Sequence, residues 1–380
     1  MILDPHILVA RAAAAGISIS DEIITALLAG AVIAYSLSGG KDSSVSAHAV
    51  NSFLDSIGHP RADRLGIHAD LGKIEWTESH DICAQMAEIM DIPFTVVRHS
   101  THDMISRWEQ RFINGKRRYA NLEIFNLIGP WSSASLRFCT AEMKQQVISP
   151  ALKKMFPGRT IISVIGVRRE ESATRANAPV SKAEPRWSDA RSGTAMLSWN
   201  PIVDMTKVEV FAYHDHHGIP LHPAYRVWGC SRVSCRFCVL QTKNDQEAAS
   251  REPGAPPIYR HLVGMEVGST FSFQPTRWLG DVSPHLLTPA LVQGLSRAKE
   301  WGAERRALED AMPKGLRYVK GWPIRVPTPA EAEQVVRGRE VILGHHDLDI
   351  LYPTPQAIID RFSDLMAAND ARQMKLAAAA

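Results

Sequence analysis

Apolar positions in the first two-thirds of the chain gather into short continuous runs, and the stretches between them carry helical spacing. The runs are residues 31–35, "RLGIHAD" at 64–70, "PFTVVRH" at 93–99, "TIISVIGVR" at 160–168 and "AMLSWNPIV" at 195–203. The intervening pattern predicts a helix running through Asp55, then helices from about Thr77 to Met90, about Glu142 to Met155 and about Lys207 to His217. Strands joined by helical crossovers predict an α/β fold, a parallel sheet flanked by helices, with ligands at the carboxyl ends of the strands. Residues 38–44, Asp70 and Arg168 all fall at such ends. From Asp245 onward the pattern changes to helices punctuated by Pro and Trp, a helical C-terminal region. Three segments result: an N-terminal helical segment (1–29), an α/β domain (30–244) and the helical region (245–380).

Composition narrows the class only a little. The 380 residues are 45% hydrophobic and 22% charged, enough for an ordinary buried core. A net charge of +3 is too small to argue nucleic-acid binding by itself. The basic runs at 107–118 and 168–175 read as solvated faces. No apolar run reaches spanning length, and Asp4 and His6 stand where a secretion signal would carry basic residues. The expectation is a cytoplasmic protein without a membrane segment.

The sharpest local signal is "AYSLSGGKDSS" at 34–44, where a strand breaks into glycines and resumes as a helix. Such a junction points backbone N–H groups into one concavity at a helix N-terminus, which suits an anion. The spacing is not that of a Walker P-loop, because Gly39 and Gly40 are adjacent and Asp42 follows Lys41. The plain alternative is a tight turn capped by Ser38 or Asp42.

Cysteines give the second signal. Cys230, Cys235 and Cys238 form a Cys-x4-Cys-x2-Cys array, with Cys139 in "LRFCTAEMK" and Cys83 in a helix-like stretch. Three thiols within nine residues of a cytosolic chain argue for metal or redox chemistry over disulfides. Four thiolates suit Zn²⁺ or an iron-sulfur cluster, and spacing does not separate the two. The irregular spacing favours [4Fe-4S] with Cys139 as the distant fourth ligand; Cys83 reads as buried and inert. "HDHHG" at 214–218 reads as a helix C-terminus before Gly218.

Taken together, "SLSGGKDSS" resembles the PP-loop of the ATP pyrophosphatase superfamily. "HADLG..EW.E", "FCTAEMK", "GVRREESATRA" and "HPAYRVWGCSRVSCRFC" resemble, in order and spacing, the phosphoadenosine phosphosulfate reductase family, over roughly residues 30 to 243. Within it they are most similar to the ATP pyrophosphatases of bacterial DNA phosphorothioation. The resemblance implies an adenine-nucleotide alpha hydrolase-like sheet. It departs from true sulfonucleotide reductases in one respect: no cysteine follows Cys238, so the nucleophile of their C-terminal tail is missing.

The resemblance implies ATP with Mg²⁺ over Ser38, Gly39, Gly40, Asp42, Ser43 and Ser44, with Lys41 adding charge. Asp42 either holds Mg²⁺ or caps the helix. Arg168 and Arg175 clamp phosphates, unless Arg175 only pairs with Glu170 or Glu171 on the surface. Asp70 binds ribose or caps the next loop. Transfer of AMP then activates an acceptor oxygen that sulfur replaces. Resemblance alone supplies DNA as acceptor, a cysteine desulfurase as sulfur donor, and modification-system subunits as partners of the C-terminal region. The alternatives are a sulfonucleotide reductase, a tRNA thiolation enzyme, or a non-catalytic nucleotide-binding subunit with a structural metal.

Overall fold

The computed structural model describes residues 4–378, which fall into two compact units. The first is formed by residues up to Met104 and by Ala134–Ala255, the second by Ile105–Ser133 and the residues from Pro256 onward. This division differs from the three segments read along the chain. The N-terminal helices join the core of the first unit, and residues 105–133 are carried by the second.

The first unit opens with α1 (Pro5–Ala14) and α2 (Asp21–Leu28), then alternates β1 (Val32–Ser36), α3 (Lys41–Ser56), β2 (Arg64–Asp70), α4 (Ser79–Ile89) and β3 (Phe94–Arg98). The chain passes through α5 (Met104–Ala120) and returns as α6 (Phe138–Thr140), α7 (Gln146–Met155), β4 (Thr160–Val164), β5 (Ser181–Ala183) and β6 (Ala195–Trp199). Helices α8 (Lys207–His217), α9 (Pro223–Arg226) and α10 (Lys243–Ser250) complete it. The strands order as β3-β2-β1-β4-β6-β5, all parallel except β5, which pairs antiparallel with β6. The expected α/β architecture is therefore present. Its apolar runs are continuous because both faces of the sheet are covered, as parallel sheets require.

One face carries a core of Leu8, Ile23, Val50, Phe53, Trp199 and Val210 beneath α1, α2, α3 and α8. The other packs Ala34, Ile67, Ile161 and Met196 against Leu152 and Ile148 of α7. Each fully buried Leu, Ile or Phe of these layers contributes about 1.5–3 kcal/mol. The two right-hand strands end earlier than their apolar runs, because residues 165–168 leave the sheet after the Ile165 amide donates to Trp199 O (2.9 Å). The chain leaves β1 toward β2 on one side while β4 lies on the other, so the carboxyl end of β1 opens on a crevice.

The second unit is helical, with α5, α11 (Ala255–Ser269), α12 (Pro289–Ala311), α13 (Pro329–Gly344) and α14 (Pro355–Ala378). Leu122, Met312, Val335, Ile358 and Phe362 form one of its cores, and Phe112, Tyr119, Leu127 and Ile342 another. Among the described residues no helix is long and apolar enough to cross a membrane.

Candidate functional site

The glycine turn sits at the end of β1. Gly39 has φ +70°, a conformation open to glycine at no steric cost. Gly40 is the N-cap of α3 and no side chain caps the helix, so neither Ser38 nor Asp42 plays the capping role. The hydroxyls fold inward instead: Ser43 Oγ donates to Gly40 O (2.8 Å) and Ser38 Oγ donates to Ser43 Oγ (3.0 Å). A second glycine closes the turn from the β4 side. A Cβ at Gly166 would lie 2.5 Å from the Asp42 carbonyl carbon and 2.6 Å from the Ser43 nitrogen, so only glycine lets this segment touch the turn.

Behind the turn lies a buried ion network. Lys41 and Arg168 are each 3% exposed, and both close on Asp42: Lys41 Nζ at 2.7 Å from Oδ2, Arg168 Nε at 2.6 Å from Oδ1. Arg168 also binds Glu170 (2.7 Å). Burial works against the Arg168 charge, but the Asp42 charge and hydrogen bond outweigh it and raise its pKa. The Lys41 ammonium lies over the Tyr225 ring, 5.5 Å from its centroid. The Tyr225 hydroxyl accepts from the amides of Lys41 (3.0 Å) and Val233 (3.2 Å). His214 Nε2–H donates to Lys41 O (3.0 Å). Lys41 and Arg168 thus stiffen the turn from behind and do not line the cavity in front of it.

That cavity, about 370 Å³, belongs wholly to the first unit. Ser38, Gly40, Asp42, Ser43, Arg175 and Cys235 line it; Gly39, Ser44, Asp70 and the other cysteines do not. Arg175 is held by Glu171, the surface pairing weighed for it above, yet it keeps a place in the wall. Asp70 accepts from the Gly72 amide (2.7 Å) and pairs with Arg98 (3.1 Å), so it caps the loop after β2. Among the described residues, three further wall cations, Arg137, Lys144 and Arg232, have no acidic partner. The sequence reading missed them because each is a single basic residue in a loop or short helical turn.

His68 and Glu75 lie in the HADLG..EW.E motif, where sequence alone gives neither a role of its own. His68 Nδ1 faces Leu37 O (2.9 Å) and Nε2 faces Glu75 Oε2 (3.0 Å), so both nitrogens meet acceptors and the ring is an imidazolium. Burial alone would lower its pKa; hydrogen bonds with Cys83, whose sulfur is 3.7 Å away, and with Glu75 hold it up at about 10. A fixed positive charge therefore joins the wall. His222 is the opposite case: burial drives it down to about 4, and its Nδ1 accepts from the Ala224 amide (3.0 Å).

The cysteines do not assemble as one ligand set. Among the described residues no group of three or more His, Cys, Asp and Glu side chains could hold a metal ion. Cys230 is buried, its sulfur 3.9 Å from Asp245 O, and burial with the Asp245 charge pushes it up to about 12. Cys235 is raised by burial and by Cys238, with Cys139 also in electrostatic reach, whereas Cys230 is not. As they stand, the side chains of Cys139, Cys230, Cys235 and Cys238 are not gathered around one point. Both Asp42 oxygens are held by cations, Oδ2 by Lys41 and Oδ1 by Arg168, while the residue keeps its place in the cavity wall. "HDHHG" ends α8 with Gly218 in the left-handed region, as its helix-end reading predicts.

Comparison with known proteins places these features. An uncharacterised 37.8 kDa protein of Escherichia phage 186 is 35% identical over 123 residues, 31% of this chain; the chain spans 34% of that protein's length. The crystal structure of phosphoadenylyl-sulfate reductase from Candida auris, a phosphate complex, matches with 13% identity and a TM-score of 0.35, covering 57% of this chain and 96% of that one. The model of the phosphoadenosine phosphosulfate reductase domain matches residues 32–241, from the first residue of β1 to just past Cys238. The match spans the sheet, the glycine turn and the cavity wall, and the chain belongs to the phosphoadenosine phosphosulfate reductase domain family.

Proposed function

We propose that this chain is an ATP pyrophosphatase that adenylates an acceptor oxygen for sulfur transfer. The observation that carries the reading is the uncapped glycine turn, rigid from behind and faced by a cavity with three cations that have no acidic partner among the described residues. Its amides and hydroxyls suit phosphate oxygens, and Arg137, Lys144, Arg175 and Arg232 suit charge that builds as a polyphosphate leaves. In the reaction an acceptor oxygen attacks the α-phosphorus, the α–β bridging bond breaks, and its electron pair leaves with pyrophosphate. A sulfide-level nucleophile, hydrosulfide, then bonds to the activated atom of the acceptor, the bond from that atom to the adenylated oxygen breaks, and AMP leaves with that oxygen.

A DNA phosphate as acceptor, a cysteine desulfurase as sulfur donor and modification-system subunits as partners extend this proposal and rest on the motif resemblance. The second reading, reduction of a sulfonucleotide to sulfite, is favoured by the family match. It lacks a thiol beyond Cys238 to attack the sulfur. Labelled ATP separates the two: AMP and pyrophosphate are expected, whereas ADP and phosphate refute the cleavage site. Sulfite released from phosphoadenosine phosphosulfate with thioredoxin, without pyrophosphate from ATP, transfers the assignment to the reductase.

A further inference from the structure

The cavity extends beyond the glycine turn over β4 and β6, and the groups there differ in kind from those at the turn. The floor is a row of hydroxyls on adjacent strands. Ser163 sits opposite Ser198 in the β4–β6 register, and Ser36 Oγ meets Ser163 Oγ at 3.2 Å. Ser198, 7% exposed, donates to Glu184 Oε1 (3.0 Å). Glu184 Oε1 also pairs with the exposed Lys182 (3.5 Å), Oε2 has no partner among the described residues, and the Glu184 side chain remains 24% exposed. Trp187 lines the lobe as well, packed against the layer that holds Leu152, Met196 and Ile148, with the Arg186 guanidinium 4.9 Å from its ring centroid. Its position is set locally, by its amide donating to Glu184 O (3.0 Å) and the Glu184 amide to Met196 O (2.8 Å).

An aromatic and aliphatic wall, a floor of hydroxyls that donate or accept, and one carboxylate oxygen left over describe a site for a flat, polar-edged ring. A phosphate would be repelled by Glu184, and a purely apolar ligand would strand the hydroxyls. We propose that Trp187, Glu184, Ser198 and Ser163 form a nucleobase subsite that selects a base with an exocyclic amine, the amine donating to Glu184. Adenine, cytosine and guanine offer that donor and thymine does not. The inference rests on reading the cavity as a nucleotide site, and two sources share its chemistry: the base of the cleaved nucleotide, or the base beside an acceptor phosphate.

The test uses the full chain and two variants, Glu184→Gln, which keeps the shape, and Trp187→Phe, which keeps the packing. Calorimetry would first measure α,β-methylene-ATP, then AMP, CMP, GMP and dTMP against protein saturated with that analogue. If the base of the cleaved nucleotide occupies the lobe, Glu184→Gln weakens the analogue about tenfold or more. If the base of a second substrate does, the analogue is unchanged, an amine-bearing monophosphate binds tenfold more tightly than dTMP, and Glu184→Gln erases that preference because its amide donates to thymine O4. Either result supports the subsite. Changes under twofold in both arms for both variants overturn it. Pyrophosphate release by the unaltered chain is scored separately, so failure of the pyrophosphatase reading is distinguished from failure of the base site.

Discussion

In the first unit the buried cations Lys41 and Arg168 close on one carboxylate, Asp42, directly behind backbone that faces a cavity. In the second, Arg305 and Glu309 close on each other at 2.9 Å inside a helical core, and Arg305 lies 3.6 Å from the Phe271 ring centroid. Arg339, 3% exposed, donates to Tyr119 O and stacks over the Tyr119 ring. Glu266, fully buried, accepts from the amides of Phe273 (2.7 Å), Leu279 (2.7 Å) and Gly280 (3.0 Å). Both units therefore bury charge of both signs. A buried ion network is thus not in itself the mark of a site: the first unit differs in having, in front of its network, a cavity whose wall carries cations without an acidic partner among the described residues.

The comparison is most directly broken at the two central carboxylates. Asp42→Ala leaves the nearly buried Lys41 without a carboxylate partner and Arg168 with Glu170 alone, and is expected to cost about 3–5 kcal/mol of unfolding free energy, along with ATP binding. Denaturant unfolding and calorimetry read the two losses. Glu309→Ala strands Arg305 and the Leu127 amide, and is expected to cost about 3 kcal/mol in the same unfolding experiment. The sharper contrast comes from apolar replacement. Arg305→Met with Glu309→Leu should restore most of that stability, whereas Lys41→Met with Asp42→Leu should not restore nucleotide binding.

Gly166→Ala comes next. Its methyl meets turn backbone at 2.5 Å and should cost about 1–3 kcal/mol, seen as a roughly ten- to hundredfold weaker ATP affinity with the circular dichroism of the sheet retained.

The smallest expected effects are in pH dependence, where the units have separate windows. His68 has its pKa raised from 6.5 to about 10, so its contribution is complete below 6.5 and is lost as pH rises through 10. Glu266 is raised by burial from 4.5 to about 7, against the pull of its three amides, so its contribution is complete below 4.5 and fades as pH rises through 7. Glu75→Gln should lower the His68 midpoint by a unit or more in an NMR titration, about 1.4 kcal/mol per unit. Glu266→Gln should remove the loss between pH 4.5 and 7. An unshifted His68 midpoint in Glu75→Gln would show that the carboxylate does not hold the imidazolium.

The sheet was legible because five of its six strands are apolar runs, and β5 was not, since the three residues Ser181–Ala183 are too few and too polar to carry a period. In α5 the basic residues drew attention to a solvated face, while Trp108, Phe112 and Tyr119, at helical spacing, are buried. The turn was legible through its two glycines. The direction in which its charges point was not, because residue spacing does not say that Lys41 bends back toward Tyr225 while Arg137 and Arg232 face the cavity. The same limit applies to the cysteine array: nearness in sequence is not convergence of side chains, and among the described residues these thiols do not gather around one point.

Tyr225 gives the molecule an order of assembly. The turn at 38–44 and its helix leave the ribosome early, but the hydroxyl that holds the Lys41 amide is 184 residues further along the chain. The same hydroxyl holds Val233, two residues before Cys235. During synthesis the turn therefore waits, its first amide exposed to water, until α9 and the cysteine segment arrive together. A chain ending before residue 225 has the glycine turn without this latch, so its nucleotide affinity should be weaker than that of the full chain.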